Sequence, residues 1–394
     1  MSEIKSAVVA GHLCLDIIPV IQSLPGGRLE GLLQPGHLLE IGPALISTGG
    51  AVSNTGLALH ILGIPTRLVA RVGTDALGES VRAVIRSYAP GLEDGIGSTT
   101  EAGTSYTIIL NLPGVDRFFW HYPGTNDVFC ADDVPYDLLA GADLFHFGYP
   151  PLIRHMHLNG GSELVEMLRR AKATGVTTSI DMALPDPGSE AGRADWPRIL
   201  SAALPWIDIF TPSIDELLFT LHRPDYERLV AAPGGLLENV TAGLLERVSG
   251  ELLRMGAKVV LIKIGAKGAY LRTAGETDLS QMGRAAPADP SAWASRQLWA
   301  PCFQVRVVGT TGAGDATIAG FLGALLRDLG PEQAMTAAVA VGACNVEAAD
   351  ALSGIRSWEA TLSRVAAGWP RLPMAPPAEG WHWDAKHQLL YRDE

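Results

Sequence analysis

The sequence predicts an α/β protein with a mostly parallel central sheet, helices on both faces of that sheet and a small β-structured lid. Short apolar, β-branched runs alternate along the chain with segments of helical periodicity, which is the pattern of repeated βαβ units. Hydrophobic residues make up 47% of the 394 residues and charged residues 18%, which is enough apolar material for a large core. Two segments, near 17–48 and 98–125, break the alternation and are expected to form strands outside the main sheet, as a lid.

The central sheet is expected from apolar runs that are short and rich in β-branched residues. The first run, 7–18, contains one charged residue, Asp16, near its C-terminal end. Such a carboxylate is either a functional group at a strand end, where α/β proteins bind ligands, or a costly buried ion. The other runs cover 67–73, 143–149, 176–182, 207–213 and 258–265. The main helix candidates between them cover 53–63, 163–175 and 244–256.

The alternation favours one large domain over residues 1–369, although length alone leaves the number of domains open. Residues 274–300 and 370–394 are rich in Pro, Trp and polar side chains and lack periodicity. They are therefore predicted to be a surface insertion and an irregular C-terminal tail.

Charge and cysteine usage exclude several classes of partner. The net charge of −12 argues against nucleic acid or an anionic membrane surface, because both require clustered Lys and Arg. The start of the chain does not resemble a signal peptide, and no apolar run reaches 18 residues. The four cysteines show no C-x-x-C pair, and no histidine has a second ligand at supportive spacing. We expect a cytoplasmic protein whose histidines do not bind metal, although His12, just before Asp16, is a candidate to contact a ligand.

Residues 305–330 carry the most informative motif. A β-branched run ending at Val308, a glycine-rich turn and apolar residues at helical spacing predict strand, tight loop and helix. Because Gly312 and Gly314 lack a Cβ, an anion can approach the unpaired amides of the helix start, which would stabilise charge on a transferred phosphoryl group. Asp315, in the first turn, either caps the helix or accepts a proton from an attacking hydroxyl. The chain contains no P-loop, and this motif lacks the third glycine of a dinucleotide fingerprint.

The run 310–315, TTGAGD, resembles the C-terminal signature D-T-x-G-A-G-D of the ribokinase-like (PfkB) carbohydrate kinase family. The run 49–54, GGAVSN, followed by RVGTDALG at 71–78, resembles the N-terminal signature of the same family. This resemblance covers most of the chain. It implies a ribokinase-like three-layer sandwich that uses ATP and Mg²⁺ to phosphorylate a primary hydroxyl of a sugar or sugar-like acceptor.

The resemblance also implies roles for individual residues. Asp315 would be the base that deprotonates the acceptor, and the amides of Gly312, Ala313 and Gly314 would form the anion hole. The residues expected at the acceptor site are Asp16, Gly49, Gly50, Asn54 and, in an aromatic segment beside the lid, Asn126.

On the nucleotide side, residues 211–216 resemble the N-x-x-E segment of the family, in which Glu216 helps to organise Mg²⁺ and Ser213 replaces the usual Asn. Residues 263–268, KIGAKG, resemble a strand and turn with nucleotide contacts. Lys263 either reaches a phosphate or extends from the strand end toward solvent. The predicted nucleotide contacts are Ser213, Lys263, Gly265, Gly268, Thr311 and, beside the adenine, Asn345.

The sequence departs from the family pattern at Gly309, where the signature begins with Asp. That Asp contributes to a monovalent-cation site in the family, so the resemblance does not carry potassium activation over to this chain. A nucleoside kinase and a catalytically silent sugar- or nucleotide-binding regulator are the alternative functions. Exposed lid edges need protection, which makes a homodimer formed through the lid a further hypothesis.

Overall fold

The computed structural model describes residues 4–21, 35–36, 38–111 and 118–392, and it contains two β-sheets. The strands are β1 (Ala7–Gly11), β2 (Cys14–Pro19), β3 (Ala44–Gly49), β4 (Thr66–Gly73), β5 (Ile96–Thr99), β6 (Tyr106–Leu110), β7 (Phe118–Tyr122), β8 (Leu144–Gly148), β9 (Thr177–Asp181), β10 (Ile209–Phe210), β11 (Val259–Lys263), β12 (Ala269–Thr273), β13 (Gln297–Ala300), β14 (Trp381–Asp384) and β15 (Leu389–Arg392).

The helices lie mostly between these strands. They are α1 (Ala51–Ile61), α2 (Ala76–Arg86), α3 (Tyr136–Leu139), α4 (Arg154–His157), α5 (Ser162–Ala173), α6 (Trp196–Ala203), α7 (Ile214–Leu221), α8 (Arg223–Val230), α9 (Gly235–Glu238), α10 (Ala242–Arg254), α11 (Glu276–Ser280), α12 (Pro290–Trp293), α13 (Ala313–Leu325), α14 (Pro331–Asn345) and α15 (Trp358–Ala366). Within the described ranges, no helix is both long and apolar enough to cross a membrane.

The larger sheet has the order β14-β15-β13-β12-β11-β10-β9-β8-β1-β4-β5. The strands from β11 to β5 pair in parallel, and β12 to β15 extend the sheet by antiparallel pairing. One buried cluster packs α1, α13 and α14 on one face of this sheet, and a second packs α5, α6 and α10 on the other. The predicted mostly parallel sheet between two helical layers is therefore confirmed.

The smaller sheet has the order β3-β2-β6-β7 and forms the predicted lid. Strands β3, β6 and β7 lie in the two segments where lid strands were expected. Residues 22–34, 37 and 112–117 of those segments lie outside the described residues. The fourth strand, β2, begins upstream of the predicted boundary. In the register of this sheet Asp16 pairs with Thr107, and Thr107 pairs with His121, so these residues form a row across the lid.

The prediction of one continuous strand over 7–18 was wrong, because this run contributes to both sheets. The chain leaves the main sheet after Gly11, which has φ = 121°, and a Cβ at this position would collide with the Gly148 carbonyl. Uniform hydrophobicity hid the break, since both β1 and the first half of β2 are buried. Asp16 consequently lies on the lid sheet and not at the end of a main-sheet strand.

The predictions of a surface insertion and an irregular tail were also wrong. Strand β13, at the end of 274–300, pairs with β12 on one side and with β15 on the other. Residues of the C-terminal segment form the hairpin β14–β15, which completes this edge of the sheet. Each strand is only four residues long, so neither segment shows a readable period before the two are brought together.

Helix α13 is confirmed, but the strand predicted to end at Val308 is not present in the structure. Residues 304–309 carry no strand, and Val307 and Val308 are exposed. The preceding strand β13 already has a partner at each edge, so the β-branched run has no adjacent edge to join.

Candidate functional site

Asp315 lies at the start of α13, buried between two helices of the same layer. Gly312 precedes the helix with φ = 72°, which allows the chain to turn sharply into α13. From α1, Asn54 Nδ2 donates to Asp315 Oδ2 at 3.1 Å and Thr55 Oγ1 donates to Oδ1 at 3.0 Å. The carboxylate is therefore held by side chains of another helix. It does not cap α13, whose N-cap residue is Gly312.

Tyr149, immediately after β8, is a third partner of this carboxylate. Its hydroxyl lies 2.8 Å from Asp315 Oδ1 and 2.7 Å from Oδ2. Burial, reinforced by the charge of Asp315, raises the Tyr149 pKa well above its ordinary value, so the phenol stays protonated and donates. Sequence reasoning missed Tyr149 and Thr55, because their roles depend on the folding together of α1, β8 and α13.

A cavity of about 1060 Å³ opens on one side of Asp315. Its polar end is the group formed by Lys263, Asp181, Glu216 and Gly314, which lie close together. The rest of the lining includes Ser213, Gly265, Gly268, Gly312 and Ala313 and the apolar side chains Leu236, Leu237, Val305, Val307, Val339 and Val346. This combination of charged and apolar groups suits a molecule that carries both anionic and apolar parts, as a nucleotide does.

The whole cavity is called the nucleotide cavity below. Its polar end carries a buried ammonium group. Lys263 Nζ donates to Asp181 Oδ1 at 2.6 Å and lies 3.9 Å from Glu216 Oε2. It also lies 3.5 Å from the point where a Cβ of Gly314 would stand, beside the start of α13. Burial acts to lower the Lys263 pKa, but the charges of Asp181 and Glu216 outweigh this effect and raise it.

This geometry argues against the prediction that Lys263 extends into solvent, since the side chain is buried and lines the cavity, while its contact with a phosphate stays a prediction. Asp181 was not predicted. It ends the apolar run 176–182 in the way that Asp16 ends 7–18, and this signal could have found it.

Ser213 and Glu216 form a capping box at the start of α7. The Ser213 amide donates to Glu216 Oε2 at 2.7 Å, and the Glu216 amide donates to Ser213 Oγ at 3.4 Å. Burial raises the pKa of the Glu216 carboxyl. The family-like S-x-x-E spacing thus has a structural purpose of its own, while both residues also line the nucleotide cavity.

A second cleft, of about 800 Å³, lies on the other side of Asn54 and Tyr149, beneath the lid, and is called the acceptor cleft below. It is lined by residues predicted for the acceptor site, Asp16, Gly49, Gly50 and Asn54, and by His12, Cys14, Thr107, Phe119, His121, Arg154 and Glu190 among others. Burial raises the Asp16 pKa to about 6. A Cβ at Gly49 would collide with the Asp16 carboxylate, and a Cβ at Gly50, which has φ = 88°, would collide with the His12 carbonyl. The paired glycines therefore let α1 approach the acceptor cleft.

Three residues that were predicted to contact the acceptor or the nucleotide have other partners or lie elsewhere. Asn126 is buried, and its amide accepts from the Leu13 N–H at 3.1 Å and donates to the Leu13 carbonyl at 3.0 Å, which argues against a substrate contact. Asn345 is buried as well and donates to the Ala351 carbonyl at 2.6 Å, so it holds a loop and does not line the nucleotide cavity. Thr311 lines the acceptor cleft, whereas its neighbour Thr310 lines the nucleotide cavity.

A three-layer α/β fold with a β lid, and two cavities that share Tyr149, whose hydroxyl donates to the buried Asp315 carboxylate, fit a ribokinase-type protein. The chain belongs to the pfkB family of carbohydrate kinases, whose family model matches residues 7–358. It is similar to a probable fructokinase-3 of Arabidopsis thaliana, with 24% identity over 341 residues that cover 84% of this chain and 80% of that protein. It is also similar to a ribokinase of Arabidopsis thaliana, with 23% identity over 361 residues that cover 90% and 79%.

Solved structures show the same fold. A structure of Arabidopsis thaliana ribokinase complexed with ribose and ATP superposes with a TM-score of 0.66 and 20% identity, covering 92% of this chain and 98% of that one. A Xylella fastidiosa fructokinase with bound ATP gives a TM-score of 0.66 and 21% identity, covering 92% and 99%. Family membership makes the chain an ATP-dependent carbohydrate kinase.

Proposed function

We propose that this kinase transfers the γ-phosphoryl group of ATP to a primary hydroxyl of a sugar or sugar-like acceptor, with Asp315 as the base. One observation carries this proposal. Asp315 lines the nucleotide cavity, while Asn54 and Tyr149, which bind its carboxylate, line the acceptor cleft. The carboxylate therefore lies at the junction where an acceptor hydroxyl would meet the terminal phosphate.

In the proposed reaction, the acceptor hydroxyl gives its proton to Asp315 as its oxygen forms a bond to the γ-phosphorus and the bond to ADP breaks. Tyr149 donates to the same two carboxylate oxygens, so the incoming hydroxyl must replace at least one of these hydrogen bonds. The amides of Gly312, Ala313 and Gly314 and the start of α13 stabilise the charge of the transferred group.

Lys263 supplies a positive charge at the same place. Its ammonium group is held beside Gly314 by Asp181 and stays charged, so it can pair with a phosphate oxygen at the polar end of the nucleotide cavity. Glu216 and Asp181 offer carboxylate oxygens there. These suit Mg²⁺, which usually binds one or two carboxylates together with substrate phosphates. When bound, Mg²⁺ would neutralise charge on the phosphates.

The acceptor is proposed to bind between the lid and the main sheet, with Asp16 and Asn54 hydrogen-bonded to its hydroxyls. The cleft contains several charged and polar side chains, among them Asp16, Arg154 and Glu190. This polarity favours a sugar-like acceptor over a nucleoside, whose base would need a larger apolar surface. The fold does not decide between them, because a nucleoside kinase from Methanocaldococcus jannaschii also superposes, with a TM-score of 0.61 and 18% identity.

The silent-regulator hypothesis rested on the departures at Gly309 and Ser213. Ser213 keeps its place in the nucleotide cavity. A Cβ at Gly309 would lie 2.8 Å from the Ala348 carbonyl oxygen, so the loop is closely packed around a glycine and leaves the Asp315 site intact. We therefore favour an active kinase, and because of Gly309 we do not carry the family's potassium activation over to it.

We further propose a cytoplasmic homodimer joined through the lids. The outer strand β7 exposes Phe118, Trp120 and Tyr122, and such an apolar edge invites pairing with a second copy. Sedimentation at micromolar concentration should show a dimer, and a monomer would exclude this assembly.

The function is tested by measuring ADP release from Mg-ATP across a panel of sugars, sugar acids and nucleosides. Acceptor-dependent turnover with one of the first two classes would support the proposal and identify the acceptor class. Turnover with nucleosides alone would establish the alternative kinase. ATP or sugar binding without turnover on any acceptor would favour the regulator.

A further inference from the structure

Three metal-ligand side chains face one another in the acceptor cleft, and none has a part in the phosphoryl transfer proposed above. They are His12, in the connection between β1 and β2, Cys14 on β2, and His121 on β7. Ligand atoms of the three residues lie within 4.8 Å of one another. Their separation in the sequence explains why no metal site was predicted, since His121 comes from the other half of the lid.

The distance between the two imidazoles suits a shared ion. His12 Nε2 and His121 Nε2 are 3.4 Å apart. This is long for an N–H···N hydrogen bond, but two nitrogens on a tetrahedral ion with metal–nitrogen bonds of about 2.0–2.1 Å lie about 3.3–3.4 Å apart.

The surroundings of His121 and Cys14 add to this arrangement. His121 Nδ1 lies 2.9 Å from Thr107 Oγ1, and such a contact at the second ring nitrogen orients metal-binding histidines. The Cys14 thiol lies 3.3 Å from Asp16 Oδ1 and 3.5 Å from Thr107 Oγ1. On binding a metal the thiol would lose its proton to solvent, and the thiolate would become the third ligand.

We propose that His12, Cys14 and His121 bind a late first-row divalent metal ion, Zn²⁺ foremost, in the acceptor cleft. Two imidazoles and one thiolate suit such an ion and do not suit Mg²⁺, which requires oxygen ligands. Because His121 belongs to the lid and His12 to the connection leaving the main sheet, the bound ion ties the outer lid strand to the body of the protein.

The test is a titration of the metal-free protein with Co²⁺, followed by displacement with Zn²⁺. Wild type should bind one Co²⁺ and develop the absorption of a tetrahedral site with a thiolate-to-cobalt band. Cys14→Ser should lose that band, and His121→Ala should weaken binding by at least about 10-fold. His121 is exposed on an outer lid strand, so its removal should leave the core folded, which circular dichroism can verify.

Cys130→Ser and His155→Ala are the matched controls, because they remove the same chemical groups away from the cluster and should bind as wild type does. Wild type that binds no stoichiometric Co²⁺, or binding that is unchanged in both Cys14→Ser and His121→Ala, would overturn the proposal. The titration needs no kinase activity, so its outcome is independent of the proposed function.

Discussion

The nucleotide cavity and the acceptor cleft share Tyr149, which binds Asp315, but they are formed by different elements. Turns and helix starts of the main α/β layers contribute to the lining of the nucleotide cavity, with glycines at 265, 268, 312 and 314 that open the backbone to a ligand. The acceptor cleft is closed instead by side chains of a second sheet, whose strands come from distant parts of the chain. Under the proposed mechanism, the reaction depends on short local motifs, whereas the choice of acceptor depends on how the lid packs against the main sheet.

The two regions also differ in charge. A buried lysine with two carboxylates stands at the polar end of the nucleotide cavity, which suits phosphates. The acceptor cleft contains the Asp16 carboxylate, which offers hydrogen-bond acceptors for hydroxyl groups. Substitutions on either side should therefore affect different kinetic constants, and those at the junction should affect turnover.

The largest effect is expected from Asp315→Asn, because the amide cannot take the proton of the acceptor. Turnover should fall by about 10²–10⁴-fold, while ATP affinity changes little. ADP release and calorimetric ATP binding measure the two quantities. Asp132→Asn, which alters an exposed carboxylate, is the control and should behave as wild type. Undiminished turnover in Asp315→Asn would remove this residue from the mechanism.

The second effect concerns the nucleotide side. Lys263→Met should lower kcat/KM for ATP, and it should also reduce stability by about 3–5 kcal/mol because Asp181 is left buried without its partner. The double variant Lys263→Met with Asp181→Asn should recover most of the stability in denaturant unfolding. Because Asp181 is also a proposed Mg²⁺ ligand, Asp181→Asn alone is the matched control for activity, and the double variant should have a lower kcat/KM for ATP than this single variant. An equal kcat/KM in the two would reduce Lys263 to a structural residue.

The third effect concerns the acceptor side. Asp16→Asn should raise the KM of the acceptor by about 10–100-fold, which corresponds to the loss of a hydrogen bond to a charged group. The KM of ATP is the internal control and should stay near the wild-type value. Steady-state kinetics with both substrates varied gives the two constants, and equal increases in both would show that the two regions are not independent.

The smallest effect is expected at Tyr149, which lines both cavities. Tyr149→Phe removes the hydroxyl that competes with the acceptor for Asp315, so the acceptor KM should fall severalfold, in line with a net hydrogen-bond contribution of about 0.5–1.5 kcal/mol. A raised KM would instead mean that the Tyr149 hydroxyl helps to bind the acceptor. Thermal unfolding of the variant checks that the buried ring still packs normally.

Many features of this protein could be predicted from its sequence, and the features that could not be predicted share a physical reason. The parallel sheet, its helices, the lid segments and the motif at 310–315 were all predictable, because each depends on hydrophobic periodicity or on glycine turns over a few neighbouring residues. The split of the first apolar run and the strands β13 to β15 were not. Their apolar residues show that they are buried, but not which sheet or edge buries them.

The same distinction between local and long-range contacts applies to the site. By itself, the sequence indicated the reaction class and the candidate base through its resemblance to a family, which the runs 49–54 and 310–315 carry. Only the tertiary structure decided that Tyr149 and Thr55 hold the Asp315 carboxylate, that Asn126 and Asn345 bond the backbone of Leu13 and Ala351, and that Lys263 lines the nucleotide cavity. These outcomes depend on contacts between residues far apart in the chain, which burial and hydrogen-bond satisfaction select only after the layers have packed.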